Sequence, residues 1–153
     1  MQKPDNSRVI TILGSTGELG SQAANYLIKN QKYVLLVFRK GYLGKLKRSV
    51  KLNAYAQILG VSTLFNKKLL NRIQHSSKII FNLAGLVSLS FSEKVYPHVL
   101  SINGFFPGLL VQSKRKLSAP IVYASTQRMK ILTQKHHIKW WISEAIREFN
   151  TFI

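Results

Sequence analysis

A chain of 153 residues with 46% hydrophobic content has room for one domain with a real core, which excludes a disordered or low-complexity protein. The absence of cysteine excludes disulfides and thiolate metal sites. No apolar run reaches the ~18 residues needed to cross a bilayer, and the opening MQKPDNSR has no signal-type apolar core, so a cytoplasmic or organelle-matrix setting is expected.

The first predicted element is a strand over 9–13, VITIL. Glycines follow at 14, 17 and 20, and a helix with Ala23, Ala24, Leu27 and Ile28 at helical spacing is expected over 18–29. Each glycine has a distinct expected task. Gly14 takes a backbone conformation closed to other residues, Gly17 lets a pyrophosphate approach the backbone, and Gly20 lets the helix pack close to the strand. The helix N-terminus then offers free N–H groups to the phosphates. The cofactor contacts expected there are Gly14, Ser15, Thr16, Gly17, Glu18, Leu19 and Gly20.

A second strand is predicted over 33–38, on schedule for a βαβ unit. It runs into Arg39 and Lys40, with no Asp or Glu nearby. An acid at this place binds a ribose 2′-OH and repels a 2′-phosphate, whereas a basic residue accommodates the phosphate. The pair therefore favours NADP(H) over NAD(H). The polar, basic stretch 40–55 reads as a loop or short helix. Strands follow at 56–59, 78–84 and 119–124, with helices at 66–75, 93–114 and 138–150. Pro107 should kink or shorten the third of these helices. Strands alternating with helices predict a single α/β domain: a five-stranded parallel sheet in the order 3-2-1-4-5 with helices on both faces.

Charge is the second unusual feature. The chain carries 23 Lys and Arg against 5 Asp and Glu, a net charge of +18. Such a field attracts polyanions, and the densest basic run is Arg39 to Lys51. Lysine dominates and the charges are spread along the chain, which favours a compositional origin over a dedicated interface. In sequence the aromatic residues do not interleave with the basic ones, so a nucleic-acid partner is the less favoured reading. His136 and His137 lack a third ligand and do not make a metal site.

Further motifs appear in order. The fourth strand runs into Asn82-Leu83-Ala84-Gly85, Asn103 lies in the following helix, and Ile121-Val122-Tyr123-Ala124-Ser125-Thr126 comes next. Together with the Gly14/Gly17/Gly20 turn, these resemble the N-terminal, Rossmann-like part of an extended short-chain dehydrogenase/reductase of the NAD(P)-dependent epimerase/dehydratase family. The resemblance covers nearly the whole chain. It implies that Leu83, Ala84 and Gly85 line the cofactor by backbone contact and that Asn103 braces the fourth strand. It also implies that Ser125 and Thr126 supply the hydroxyl that meets the substrate.

The pattern breaks after the fifth strand, where the family carries a Tyr-x-x-x-Lys acid/base pair. The nearest match is Trp140-Trp141-Ile142-Ser143-Glu144 with Glu148, in which Trp replaces Tyr and Glu replaces Lys. Either the pair is replaced or its helix lies beyond residue 153. On both readings this chain, without the C-terminal substrate region, is expected to lack full catalytic competence alone. The uncovered edge at strand 121–124 and the apolar helix with Trp140 and Trp141 predict a partner, either a homo-oligomer or a larger assembly. The alternative function is a non-catalytic structural subunit with an acidic or RNA partner.

Overall fold

The computed structural model describes residues 9–86, 96–112 and 119–123. Five parallel strands form one sheet in the order β3-β2-β1-β4-β5, as predicted. They are β1 (Val9–Leu13), β2 (Val34–Arg39), β3 (Ala56–Val61), β4 (Ser77–Asn82) and β5 (Ile121–Tyr123). Helices α1 (Glu18–Lys29), α2 (Leu43–Ser49) and α3 (Lys67–Ser76) fill the first three crossovers, so the basic stretch after β2 contains a short helix.

Alternation along the strands builds two cores. Ile12, Val34, Leu36 and Phe38 face one way, against Ala24 and Ile28 of α1 and Leu46 of α2. Leu13, Val37, Val61 and Ile80 face the other, against Leu70 and Ile73 of α3. The same side receives Phe106 and Leu110. A buried hydroxyl relay ties the layers together. Ser77 Oγ donates to the Ile73 carbonyl at 2.6 Å, which uses its single proton. Thr11 Oγ1 must therefore be the donor in its 2.6 Å contact with Ser77 Oγ, joining β1 to β4 and α3.

The long helix expected over 93–114 is interrupted. Within its described residues it comprises α4 (Tyr96–Leu100), a π-turn (Ser101–Phe105) and α5 (Phe106–Gln112). Pro107, the second residue of α5, has no N–H to donate to the Asn103 carbonyl four residues back. The Tyr123 hydroxyl, from the end of β5, donates to that carbonyl at 3.2 Å. Pro107 thus follows a π-turn in a helix that runs on through it, with αR backbone at Leu100 and Phe106, and the acceptor it leaves is served by another strand. The expected helix over 138–150, its apolar face, and His136 and His137 lie outside the described residues.

Candidate functional site

The strand order reverses around β1: α1 leads to β2 on one side and α3 leads to β4 on the other. In open α/β sheets the C-terminal edge at such a reversal forms a crevice. The turn after β1 and the loop after β4 meet there. Leu83 N–H donates to the Leu13 carbonyl at 3.0 Å, continuing the β1–β4 contact past the end of the strand.

Gly14 has φ +81°, and a Cβ on it would lie 2.7 Å from Ala84 Cα, Ala84 N and the Leu83 carbonyl oxygen. Its backbone conformation and its neighbour both demand glycine. A Cβ on Gly20 would overlap the Gly14 carbonyl oxygen, so α1 reaches the turn only because residue 20 has no side chain. Gly17 differs. Its φ of −74° and ψ of 165° suit any residue. A Cβ there would meet only the Gly14 oxygen, at 3.3 Å, a contact relieved by a shift of a few tenths of an ångström.

The turn is anchored from behind by the Val37 carbonyl of β2. It accepts from Gly14 N–H at 3.2 Å and Ser15 N–H at 3.3 Å, and from Ser15 Oγ at 3.1 Å. Ser15 is therefore buried and committed to the fold. Thr16 is half-buried, while Gly17, Glu18 and Leu19 are exposed at the crevice end of α1. Gly17 is the N-cap of α1 and no side chain caps the helix. The N–H groups of the first turn are therefore left for an outside acceptor, the condition under which a helix start binds an anion. Arg39 and Lys40 are exposed at the end of β2, on the same edge of the sheet. Lys40 N–H is fixed to the Val61 carbonyl of β3 at 2.8 Å.

On the β4 side, Asn103 in the π-turn grips the backbone of Leu86. Its Oδ1 accepts from Leu86 N–H at 2.9 Å, and its Nδ2 donates to the Leu86 carbonyl at 2.8 Å. The bracing residue singled out in the sequence thus holds the loop after β4 rather than the strand itself. Gly85 lies against the same amide, with its Cβ position 3.5 Å from Asn103 Oδ1. Tyr123 closes the group, and desolvation by burial raises its phenol above the ordinary value of 10.0.

Sequence reasoning quoted Asn82 but assigned it no role. It is 1% exposed at the end of β4, in register with Leu13 and Tyr123. Its Oδ1 accepts from Ala84 N–H at 3.3 Å. Its buried Nδ2 has no partner among the described residues. An orphaned donor beside the glycine turn is the signal that spacing alone does not reveal. Ser125 and Thr126 lie outside the described residues.

An uncapped helix start, a glycine without a structural reason, an orphaned amide and a basic strand end all fit a dinucleotide. No cluster of His, Asp or Glu able to hold a metal occurs among the described residues. Nor is any described helix long and apolar enough to cross a membrane.

No family model and no curated protein sequence matches the chain. Solved structures do. A short-chain dehydrogenase/reductase superfamily protein from Agrobacterium tumefaciens with bound NAD has a TM-score of 0.61 at 15% identity, over 80% of this chain and 34% of that one. UDP-glucose 4-epimerase from Thermotoga maritima, with UDP-glucose, gives 0.61 at 22% identity, over 76% of this chain and 37% of that one. Yeast methylglyoxal/isovaleraldehyde reductase complexed with NADPH gives 0.64 at 14% identity, over 77% and 37%. The chain spans little more than a third of the length of these proteins. The fold is the Rossmann-like fold of short-chain dehydrogenase/reductase and epimerase structures, as the sequence resemblance implied.

Proposed function

We propose that the chain is the nicotinamide-dinucleotide-binding part of an epimerase/dehydratase-type short-chain dehydrogenase/reductase, without full catalytic competence alone. The pyrophosphate lies over Gly17 at the start of α1, against the N–H groups of Glu18, Leu19 and Gly20. The backbone of Leu83, Ala84 and Gly85 lines the other wall. Arg39, with Lys40 beside it, meets the ribose 2′-phosphate and favours NADP(H) over NAD(H). Ser125 and Thr126, which follow Tyr123 in the sequence, are the hydroxyls that orient a substrate. When bound, the dinucleotide supplies hydride-transfer chemistry, and this chain's own residues bind and orient it.

One observation carries the reading. Gly14 and Gly20 are glycine because the fold requires it, whereas Gly17 has an ordinary backbone conformation and nearly enough room for a side chain. An approaching ligand explains it where the fold does not. The similarity to structures holding NAD and NADPH supports the same reading. Calorimetric titration of the purified chain should show saturable binding, tighter for NADPH than for NADH. Gly17→Val should abolish it while changing stability by only about 1 kcal/mol. Arg39→Glu should reverse the preference between the two cofactors. Failure of wild-type protein to bind either cofactor would overturn the reading.

A further inference from the structure

The face of the sheet covered by α1 and α2 carries a second feature, independent of the dinucleotide reading. Glu18 is the sole carboxylate among the described residues, and positions 19–92 contain no Asp or Glu at all. On α1, α2 and the turns that follow them, Lys29, Lys32, Lys45, Lys47, Arg48 and Lys51 are all exposed. The two helices are stitched together where these cations gather. Asn25 Nδ2 donates to the Ser49 carbonyl at 2.8 Å, and Asn25 Oδ1 accepts from Lys51 N–H at 2.9 Å. Lys29 stands one turn beyond Asn25 on the same side of α1. Leu46 and Val50 are buried beneath, so α2 is a fixed platform.

Complementing helix dipoles accounts for part of this charge, since Lys29, Lys47 and Arg48 lie in last turns. It does not account for Lys32, Lys45 or Lys51. Nor does it account for the exposed aromatic residues on the same two helices. Tyr26 is 69% exposed, one turn before Lys29 on α1, and Tyr42 is 44% exposed at the start of α2. Basic side chains that follow a phosphate backbone, with open aromatic rings on which bases stack, suit single strands. An acidic protein partner would call for a charge-depleted apolar centre, which this face does not present.

We infer that the α1/α2 face binds single-stranded nucleic acid without sequence preference, using Lys45, Lys47, Arg48, Lys51 and Lys29 for phosphates and Tyr26 for base stacking. Fluorescence anisotropy with a labelled 20-nucleotide oligouridylate tests it in the full chain. With all five cations engaged, log K should fall against log salt with a slope of about −3.5, since each phosphate contact on a single strand contributes about −0.7. The triple variant Lys45→Gln/Lys47→Gln/Lys51→Gln should flatten the slope by about 2. Tyr26→Ala should weaken binding about tenfold and leave the slope unchanged. Gly17→Val should bind the oligomer like wild type, which separates this site from the dinucleotide crevice. A wild-type slope in the triple variant, or wild-type affinity in Tyr26→Ala, would overturn the inference. Equal binding of polyglutamate or of phosphatidylserine vesicles would also overturn it, since either would make the face a general anion or membrane surface.

Discussion

The two walls of the crevice are built by different means. On the β1 side the chain is held mainly by backbone against backbone: Gly14 against Ala84, Gly20 against Gly14, and the Gly14 and Ser15 N–H groups on the Val37 carbonyl. On the β4 side it is held by side chains reaching for backbone. Asn103 grips Leu86, Tyr123 serves the carbonyl that Pro107 cannot, and Gln74 Nε2 donates to the Leu110 carbonyl at 2.8 Å. A close backbone approach tolerates no substitution, whereas a side-chain clamp weakens by degrees. The first wall should therefore fail completely when altered, and the second in increments.

The largest expected effect sharpens that contrast. Gly14→Val combines a positive φ with overlap on backbone atoms that cannot rotate away, and should cost about 4 kcal/mol or more. Urea denaturation measures it, and Gly20→Val should match it. A fully stable Gly20→Val protein would break the comparison. On the other wall, Asn103→Ala removes both hydrogen bonds to Leu86 and should cost about 2 kcal/mol in the same assay, leaving the protein folded.

Tyr123→Phe removes a single hydroxyl and should cost about 1 kcal/mol. The informative version is a double-mutant cycle. Pro107→Ala restores an N–H four residues beyond Asn103, so in that background Tyr123→Phe should cost clearly less. Additive costs would show that the hydroxyl and the proline are uncoupled.

The smallest effect is one of pH. Burial raises the Tyr123 phenol above the value of 10.0 expected in the unfolded chain. The folded state then holds this proton more tightly, so its contribution is fully present below pH 10. That contribution is lost as pH rises through the folded value. Stability measured from pH 9 to 11.5 should fall less steeply in Tyr123→Phe than in wild type.

The same contrast explains what could be read in advance. The β1–α1–β2 unit was legible because its demands appear directly as residue types: glycine where φ is positive or a Cβ would clash, and apolar residues at periods of two and 3.6. Helix α1 runs from Glu18 to Lys29, the predicted span. The region after β4 was legible only in outline. Pro107 announced a disturbance, but the hydroxyl that meets the π-turn comes from Tyr123 of a separate strand, which no local pattern encodes. Asn82 was visible as part of a motif, yet its unpaired Nδ2 emerges only once its neighbours are placed. That α1 and α2 are joined side by side through Asn25 is likewise encoded by no local pattern.

The scarcity of carboxylates has a consequence at the other end of the pH scale. Acid unfolding draws largely on carboxylates that the folded state holds charged and that must be protonated. Within the described fold Glu18, on the exposed first turn of α1, is the one carboxylate. Between pH 6 and pH 3, carboxylate protonation can add at most one positive charge to this part of the molecule. An already cationic fold of this kind should resist acid far better than its charge imbalance suggests, and added salt, by screening that imbalance, should protect it further.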